Sequence, residues 1–600
     1  MAYLPALKNG FVWDDNYFIT ELPFLRDPAL WWRHIQEPLF VSQNYFRPLP
    51  LLTFVLEAQV EPLNAFVFHL SNLLLHALNT TLVVLLARTL TAKGDASSLL
   101  RPLVAGLLFG LHPVLIESVS WISDRFDLMM ASFLLLGLLC DSGLKHRKSR
   151  TMLVGLSFFL ALLCKETAIV FIALLPLWQL MRNADEGTSW LGRIRKTASD
   201  AWPIWGSLLV AIAIYLYLRH QAIGGFYRSD TPLVPGTTLQ HLLLTTKTIG
   251  WYLLLLCWPF GQIGPVHPGT TPVSLSDPLA WSGLVATLAM AGATLAALRR
   301  APRAGLMICA ALVALTPVAH LVPLTIGDNI VHDRYLLLPL VFASLLLATA
   351  PVGRFRRAAI VGTGLWTAMS LATITAVVPF WESNLSLWGW ASAQEPKSNI
   401  ARGNYVSALV DNGHPQAALD LSKEILTASP DNPIAIYDMA LALMRLGRND
   451  EAREYCELAL KHFGNGDKKG RMDVAEVWNL LGYLSLHSGD WGGAEKALLE
   501  SARLMPYLTR PHFNLAMLYY QTNRIDDGDR ELAFALRYDS PTAAFSHRLL
   551  ACKKRAEALA KRSSLPGDAQ APGENSHPTN GGSHQDQVNS SSVCEERSAG

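Results

Sequence analysis

Two carboxylates stand side by side near the start of the chain, in Asn9-Gly10-Phe11-Val12-Trp13-Asp14-Asp15, just ahead of Asn16 and Tyr17. A positioned carboxylate can take a proton from a hydroxyl and so act as a general base. Neighbouring side chains on an extended loop point different ways. One of Asp14 and Asp15 can therefore face a reacting hydroxyl, while the other meets a metal, a polar ligand or a loop amide. The bland alternative is an Asx-type turn in which the pair only closes the loop. Further along, polar and charged residues recur in apolar surroundings: Arg47, His112, Glu117, Arg125, Lys165, Glu166, Asp333, Arg334 and Tyr335. Charge at membrane depth is expensive and usually functional. The structural alternative is that Arg/Asp and Lys/Glu neighbours pair to close a polar seam.

The composition says what must position these residues. Hydrophobic residues make up 51% of the chain and charged residues 16%. Soluble domains carry about a quarter charged residues, so this is membrane composition. The net charge of +2 gives no reason to expect a nucleic-acid partner. Seven cysteines are scattered without a C-x-x-C pair, so neither a zinc site nor a disulfide framework is expected. Met1 to Asn9 have no basic segment followed by an apolar run, so no signal peptide is expected there.

A membrane-spanning helix needs about twenty apolar residues. Spans are predicted at roughly 66–90, 100–122, 126–141, 151–166, 167–182, 201–219, 277–298, 304–325, 333–350 and 358–379. The stretch 239–260 is an eleventh, of ambiguous status. Basic clusters mark cytoplasmic loops; they occur at Arg88–Arg101, Lys145–Arg150, Arg182–Lys196, Arg299–Arg303 and Arg354–Arg357. If 239–260 makes no net crossing, residues 1–65 and the ends carrying Arg125, Lys165, Glu166, Asp333, Arg334 and Tyr335 all face the opposite side. If it crosses, everything after it inverts.

After Trp381 the pattern changes. Gly482 and Ala516 mark a step of 34 residues, the period of a tetratricopeptide repeat (TPR). Trp478, Leu481, Gly482, Gly489, Ala494 and Pro506 fall at the signature positions of one repeat, and two more precede it. The next holds His512, Leu515, Ala516, Tyr519 and Asn523. The reading is four repeats over 399–542, a capping helix at 543–562 and a disordered tail at 563–600, which is too polar to bury a core. With an extracytoplasmic loop at 1–65 and a multi-span domain at 66–380, the expected fold class is all-α: a polytopic helical membrane bundle followed by a TPR α-solenoid.

Taken in order, the motifs are Asn9–Asp15, Tyr45-Phe46-Arg47-Pro48-Leu49, Phe68-His69-Leu70-Ser71-Asn72 through His76, and Phe109-Gly110-Leu111-His112-Pro113 through Val119. Arg125 and Asp127, Lys165-Glu166, Asp333-Arg334-Tyr335 and terminal repeats follow. This order resembles the transmembrane and TPR-containing O-mannosyltransferases and their bacterial relatives. The resemblance spans most of 9–540. It implies a GT-C-like, inverting glycosyltransferase, with a polyprenyl- or dolichyl-phosphate sugar as donor and a protein or peptide hydroxyl as acceptor, the latter reached through the TPR surface. It implies action on the extracytoplasmic side: the periplasmic face of a bacterial inner membrane, or the lumen of the endoplasmic reticulum in a eukaryote. Two departures stand out. Family members have a membrane helix before the acidic loop, where only eight residues precede Asn9, and Asp333 stands where glutamate is common.

Glycosyl transfer to a hydroxyl, with a phosphate leaving, needs a base and nearby positive charge. The resemblance makes Asp14 or Asp15 the catalytic base and favours Asp14. Arg125 and Arg334, with Arg47 behind them, become candidates for the donor phosphate, because arginine matches phosphate oxygens bidentately. His112, Glu117, Lys165, Glu166, Asp333 and Tyr335 become candidates for the sugar pocket. No cofactor is assigned, and a divalent metal beside the acidic pair stays open. Two rival classes are a transporter, which should show symmetry between halves that this chain lacks, and a non-catalytic TPR-bearing membrane docking protein.

Overall fold

The structure, a computed structural model, describes residues 2–20, 36, 45–61, 63–91, 100–183, 189–225, 234, 236–269, 271–321, 329–351, 353–463, 472–538 and 543–563. These form two compact units, one running to Asn412 and one from Gly413 onward. Both are helical. The described strands are the two short segments His267–Pro268 and Asn329–Val331, paired antiparallel.

Among the described residues of the first unit, five helices are long and apolar enough to cross a membrane: Ala65–Leu90, Ile122–Gly143, Trp190–Ile223, Pro278–Arg300 and Arg356–Glu382. Several are started by side-chain caps. Asn64 accepts from the Phe66 amide at 3.0 Å and Asp277 from the Leu279 amide at 2.9 Å, as helix N-termini require. This is a multi-pass membrane protein.

Several predicted spans are shorter than expected. The segment 100–122 is a bent pair, Leu100–Gly110 and Pro113–Ser120, with a 53° change of direction. Pro113 has no N–H and cannot continue the helix. The carbonyl of Gly110, freed at the break, is met by His76 Nε2 at 3.0 Å. The stretch 151–182 is divided at Lys165 into Arg147–Cys164 and the twelve-residue Phe171–Arg182. At 1.5 Å per residue the latter rises about 18 Å, less than the roughly 30 Å of a hydrocarbon core. Pro302–Leu315 and Leu337–Thr349 are likewise short. Leu337–Thr349 is buried along most of its length and so lies inside the bundle.

The ambiguous stretch 239–260 is one continuous helix, Thr238–Cys257, begun by a capping box between Thr237 and Gln240. The chain then returns alongside it. Gln240 Nε2, near the helix start, donates to the carbonyl of Val273 at 3.1 Å. The next helix, Pro278–Arg300, crosses it where Gly250 meets Gly283; a Cβ on Gly283 would lie 2.7 Å from the Lys247 Cα. Lys247, buried in this helix, pairs with Asp277 at 2.7 Å.

The second unit is a run of antiparallel helix pairs. Pro433–Arg445 packs on Asn449–His462, Met472–His487 on Trp491–Leu504, and Thr509–Gln521 on Ile525–Tyr538. The turn inside each pair carries one left-handed residue, Gly447 (φ 75°), Gly489 (φ 78°) and Asn523 (φ 61°). Asparagine tolerates that conformation better than other side-chain-bearing residues, so it can stand in a glycine's place. Ala543–Ser563 packs on Thr509–Gln521. The helix Asn399–Asp411, which the repeat pattern put in the first repeat, belongs to the first unit and packs on Asn384–Gln394. Residues 564–600, read as a disordered tail, lie outside the described residues, as do Asn44 and Asp328.

Candidate active site

The acidic loop is held from both sides. Gly10 N donates to the Glu382 carbonyl at 2.9 Å, and Asn9 Nδ2 to the Val378 carbonyl at 3.3 Å. His69 Nε2 lies 3.2 Å from the Gly10 carbonyl. Trp13 then takes a left-handed backbone, φ 55°, which is a genuine outlier for a bulky residue. Such a conformation costs about 1–3 kcal/mol and persists only where its surroundings over-determine it. Here the Trp13 amide donates to Asn384 Oδ1 at 2.8 Å. Its ring stacks on Trp121 at 4.6 Å and meets Trp388 edge-on at 5.2 Å.

This turn divides the two aspartates. Asp15 is fully buried. Its Oδ1 accepts from the Ser123 amide at 2.8 Å and the Ser123 hydroxyl at 2.5 Å, and its Oδ2 from the Val12 amide at 3.1 Å. Burial pushes its carboxyl up to about 7, against the pull of those donors. Asp14 is partly exposed, and among the described residues its carboxylate has no hydrogen-bond partner. Burial pushes it up to about 6, with the Arg334 charge pulling the other way. Asp15 thus knits the loop to the 121–125 segment, and Asp14 is the carboxylate left open.

Arg334 faces this open side. Its amide donates to Glu117 Oε2 at 2.9 Å, and its Nη1 donates to Glu117 Oε1 and lies 3.0 Å from His332 Nδ1. Asp124 Oδ1 stands 3.8 Å from its Nε. The guanidinium lies 5.0 Å from the ring centre of Trp121 and 5.7 Å from that of Trp13. Beside it, Lys165 donates to Asp127 Oδ2 at 2.5 Å and sits 4.9 Å from the Tyr335 ring. A small cleft opens here. Asp127, Thr167, Arg334 and Tyr335 form its polar part, and Met130, Val170 and Leu338 belong to its apolar wall.

The other sequence candidates are placed differently. Arg125 is fully buried and its guanidinium is engaged by protein: Nε on Asn72 Oδ1 (2.9 Å), Nη1 on Thr53 (3.1 Å) and Glu57 (2.6 Å), Nη2 on the Phe68 carbonyl (2.7 Å). It is a strut rather than an open phosphate fork. Arg47 is closed on Glu166 through two bonds, of 3.1 and 2.5 Å. His112 caps the short turn after it through the Val114 amide, and its Nε2 lies 3.2 Å from the Leu256 carbonyl. That makes it part of the bend rather than of the pocket. Asp333 is buried, accepting from the Gly264 amide at 3.1 Å and lying 2.7 Å from His267 Nε2. It anchors the loop after Thr238–Cys257. Arg334, Tyr335, Glu117 and Lys165 come together, and of these Arg334 acts on the Asp14 carboxylate. Sequence reasoning passed over His267, Trp121 and Asn72 as site residues. Asn72 lies in a quoted motif, and His267 in a loop with no local signal. No three His, Cys, Asp or Glu side chains among the described residues are grouped to hold a metal ion.

Fold and site together define a multi-pass helical membrane protein with an acidic loop buried at one end of its bundle and helical repeats after it. A tetratricopeptide-repeat family model matches residues 409–482. The protein O-mannosyl-transferase Tmtc2 of Drosophila melanogaster is 36% identical over 267 residues, covering 41% of this chain and 27% of that protein. The protein O-mannosyl-transferase TMTC2 of Mus musculus is 30% identical over 285 residues, 42% of this chain and 32% of that one. TMTC4 of Homo sapiens, with the same activity in its name, is 27% identical over 313 residues, 43% and 40%. The chain spans about a third of the length of these curated relatives, which carry the name of the family its motifs resemble. A crystal structure of ArnT from Cupriavidus metallidurans bound to undecaprenyl phosphate is 14% identical, with a TM-score of 0.34, covering 76% of this chain and 77% of that one. That score is too low to carry an argument.

Proposed function

We propose that this chain is a membrane glycosyltransferase that moves a sugar from a polyprenyl-phosphate donor to a hydroxyl acceptor, a protein serine or threonine, on the extracytoplasmic side. The observation that carries this reading is the division of the acidic pair, which leaves Asp14 open beside Arg334. In the reaction, an Asp14 carboxylate oxygen takes the proton of the acceptor hydroxyl. The hydroxyl oxygen bonds to the anomeric carbon as the carbon–phosphate-oxygen bond breaks. The electron pair leaves on the lipid phosphate, whose growing charge Arg334 stabilises. In this reading the polar groups of the cleft meet the phosphate and its apolar wall meets the start of the lipid. The names of the relatives support the same chemistry.

The side of action rests on the basic loops and on the return of the chain after Cys257 to the level of Gln240, which favours no net crossing by that segment. The TPR unit would then share the side of the acidic loop and present the acceptor. The test is incubation of purified protein with a panel of polyprenyl-phosphate sugars and a serine/threonine-rich peptide, reading donor consumption and glycopeptide. Turnover of one donor is expected. Donor binding without turnover on any acceptor would favour the docking protein instead.

A further inference from the structure

The motif at 68–76 has no role in the chemistry above, yet three of its polar residues form one buried stripe with Asn79 beyond it. His69, Asn72, His76 and Asn79 recur along the span Ala65–Leu90 at helical spacing. Each meets a carbonyl where a neighbouring segment breaks or begins: Gly10 (3.2 Å), Trp121 and Ile122 (3.0 and 3.2 Å), Gly110 (3.0 Å) and Leu128 (3.0 Å). In a membrane such carbonyls have no water to turn to and need partners from adjacent helices.

Asn72 does more than satisfy carbonyls. Its Nδ2 holds Trp121 and Ile122, and its Oδ1 accepts from Arg125 Nε at 2.9 Å. It therefore grips both sides of Ser123, the residue that holds Asp15. We propose that Asn72 is a positioning residue for the transfer reaction, fixing Ser123 so that Asp15 locks the loop and Asp14 is aimed at the acceptor. The proposal rests on the glycosyltransferase reading.

Asn79 is a matched control: equally buried, on the same helix, but holding Leu128 and Ser132 away from the loop. Asn72→Ala and Asn79→Ala would be compared in purified full-length protein by hydrogen exchange of the Val12 and Ser123 amides, and by donor turnover. Asn72→Ala is expected to expose both amides. It should also lower kcat by on the order of a hundredfold, the usual effect of misplacing a reacting group by about an ångström, with the KM for donor little changed. Asn79→Ala should do neither beyond what its loss of thermal stability explains. If Asn72→Ala does not fold, Asn72→Ser, which keeps one donor and one acceptor, is expected to give the same pattern in weaker form. Unchanged exchange at Val12 and Ser123 in the Asn72 variant, or equal effects of the two alanines, would overturn the proposal. A wild-type protein that turns over no donor would overturn the function reading instead, and the exchange measurement would still decide whether Asn72 positions the loop.

Discussion

The two aspartates are chemically identical and adjacent, and their surroundings give them opposite work. Asp14→Asn keeps size and shape but cannot take a proton, so transfer should fall about a hundredfold to ten-thousandfold with the melting temperature unchanged. Asp15→Asn must aim an NH₂ group at an amide or hydroxyl donor, either at Val12 or at Ser123. A buried group so mispaired costs about 1–3 kcal/mol, so this variant should lose thermal stability and expression as well as rate. Thermal unfolding beside a transfer assay separates the two; equal melting curves with equal activities would show that neither role holds. The Asp14 carboxyl, pushed up to about 6 by burial and held back by Arg334, also sets a pH limb. A base works deprotonated, so the rate should fall as pH is lowered through about 6. Arg334→Gln removes the positive neighbour, which raises the Asp14 pKa further and moves the limb to higher pH. A rate profile of the residual activity of that variant reads the shift, and a limb that stays in place or moves to lower pH contradicts the pairing.

The helices serve the site mainly through where they stop. Leu100–Gly110 ends at the His112-Pro113 bend, which puts Glu117 and Ser123 where Arg334 and Asp15 can reach them. Trp190–Ile223 ends at Gly224, in the left-handed conformation (φ 75°) that glycine adopts without strain. The helix Thr238–Cys257 is seated by a close crossing in which a Cβ on Gly283 would lie 2.6 Å from the Thr246 carbonyl oxygen. Backbone cannot rotate away as a side chain can, so Gly283→Val must push the two helices apart. Overpacking of this kind costs about 1–3 kcal/mol, and the separation should weaken the Lys247–Asp277 pair. A lower melting temperature is expected, and an unchanged one would mean that the crossing is looser than the geometry gives.

Across the whole molecule the open question is which side each unit faces. Cysteine probes at Leu4, Lys148 and Gln416 in a cysteine-free background, labelled with an impermeant maleimide in intact cells, divide the possibilities. Leu4 and Gln416 are exposed positions in the first and second units. Both are expected to label from outside, and Lys148, at the basic start of Arg147–Cys164, only after permeabilisation. Labelling of Leu4 but not Gln416 would make Thr238–Cys257 a true crossing and put the repeats in the cytoplasm.

The sequence alone determined the all-α class, the membrane character and the repeats. Those follow from local quantities: apolar length, basic clusters, and a period of 34 residues with glycine or asparagine at each turn. It also drew attention to the acidic pair and to Arg334. Its residue types did not separate Asp14 from Asp15, though the resemblance leaned to Asp14; a backbone reversal at Trp13 makes the division, and a left-handed tryptophan is held there by Trp121, Trp388 and Asn384. Nor did it separate Arg125 from Arg334. Both sit at helix starts in polar company, and only the tertiary structure turns one inward onto Asn72, Thr53 and Glu57 and leaves the other beside the cleft. Apolar runs likewise could not reveal which spans are short, since a buried helix and a lipid-facing helix bury the same kinds of side chain. The difference lies in their neighbours, which only the folded bundle supplies.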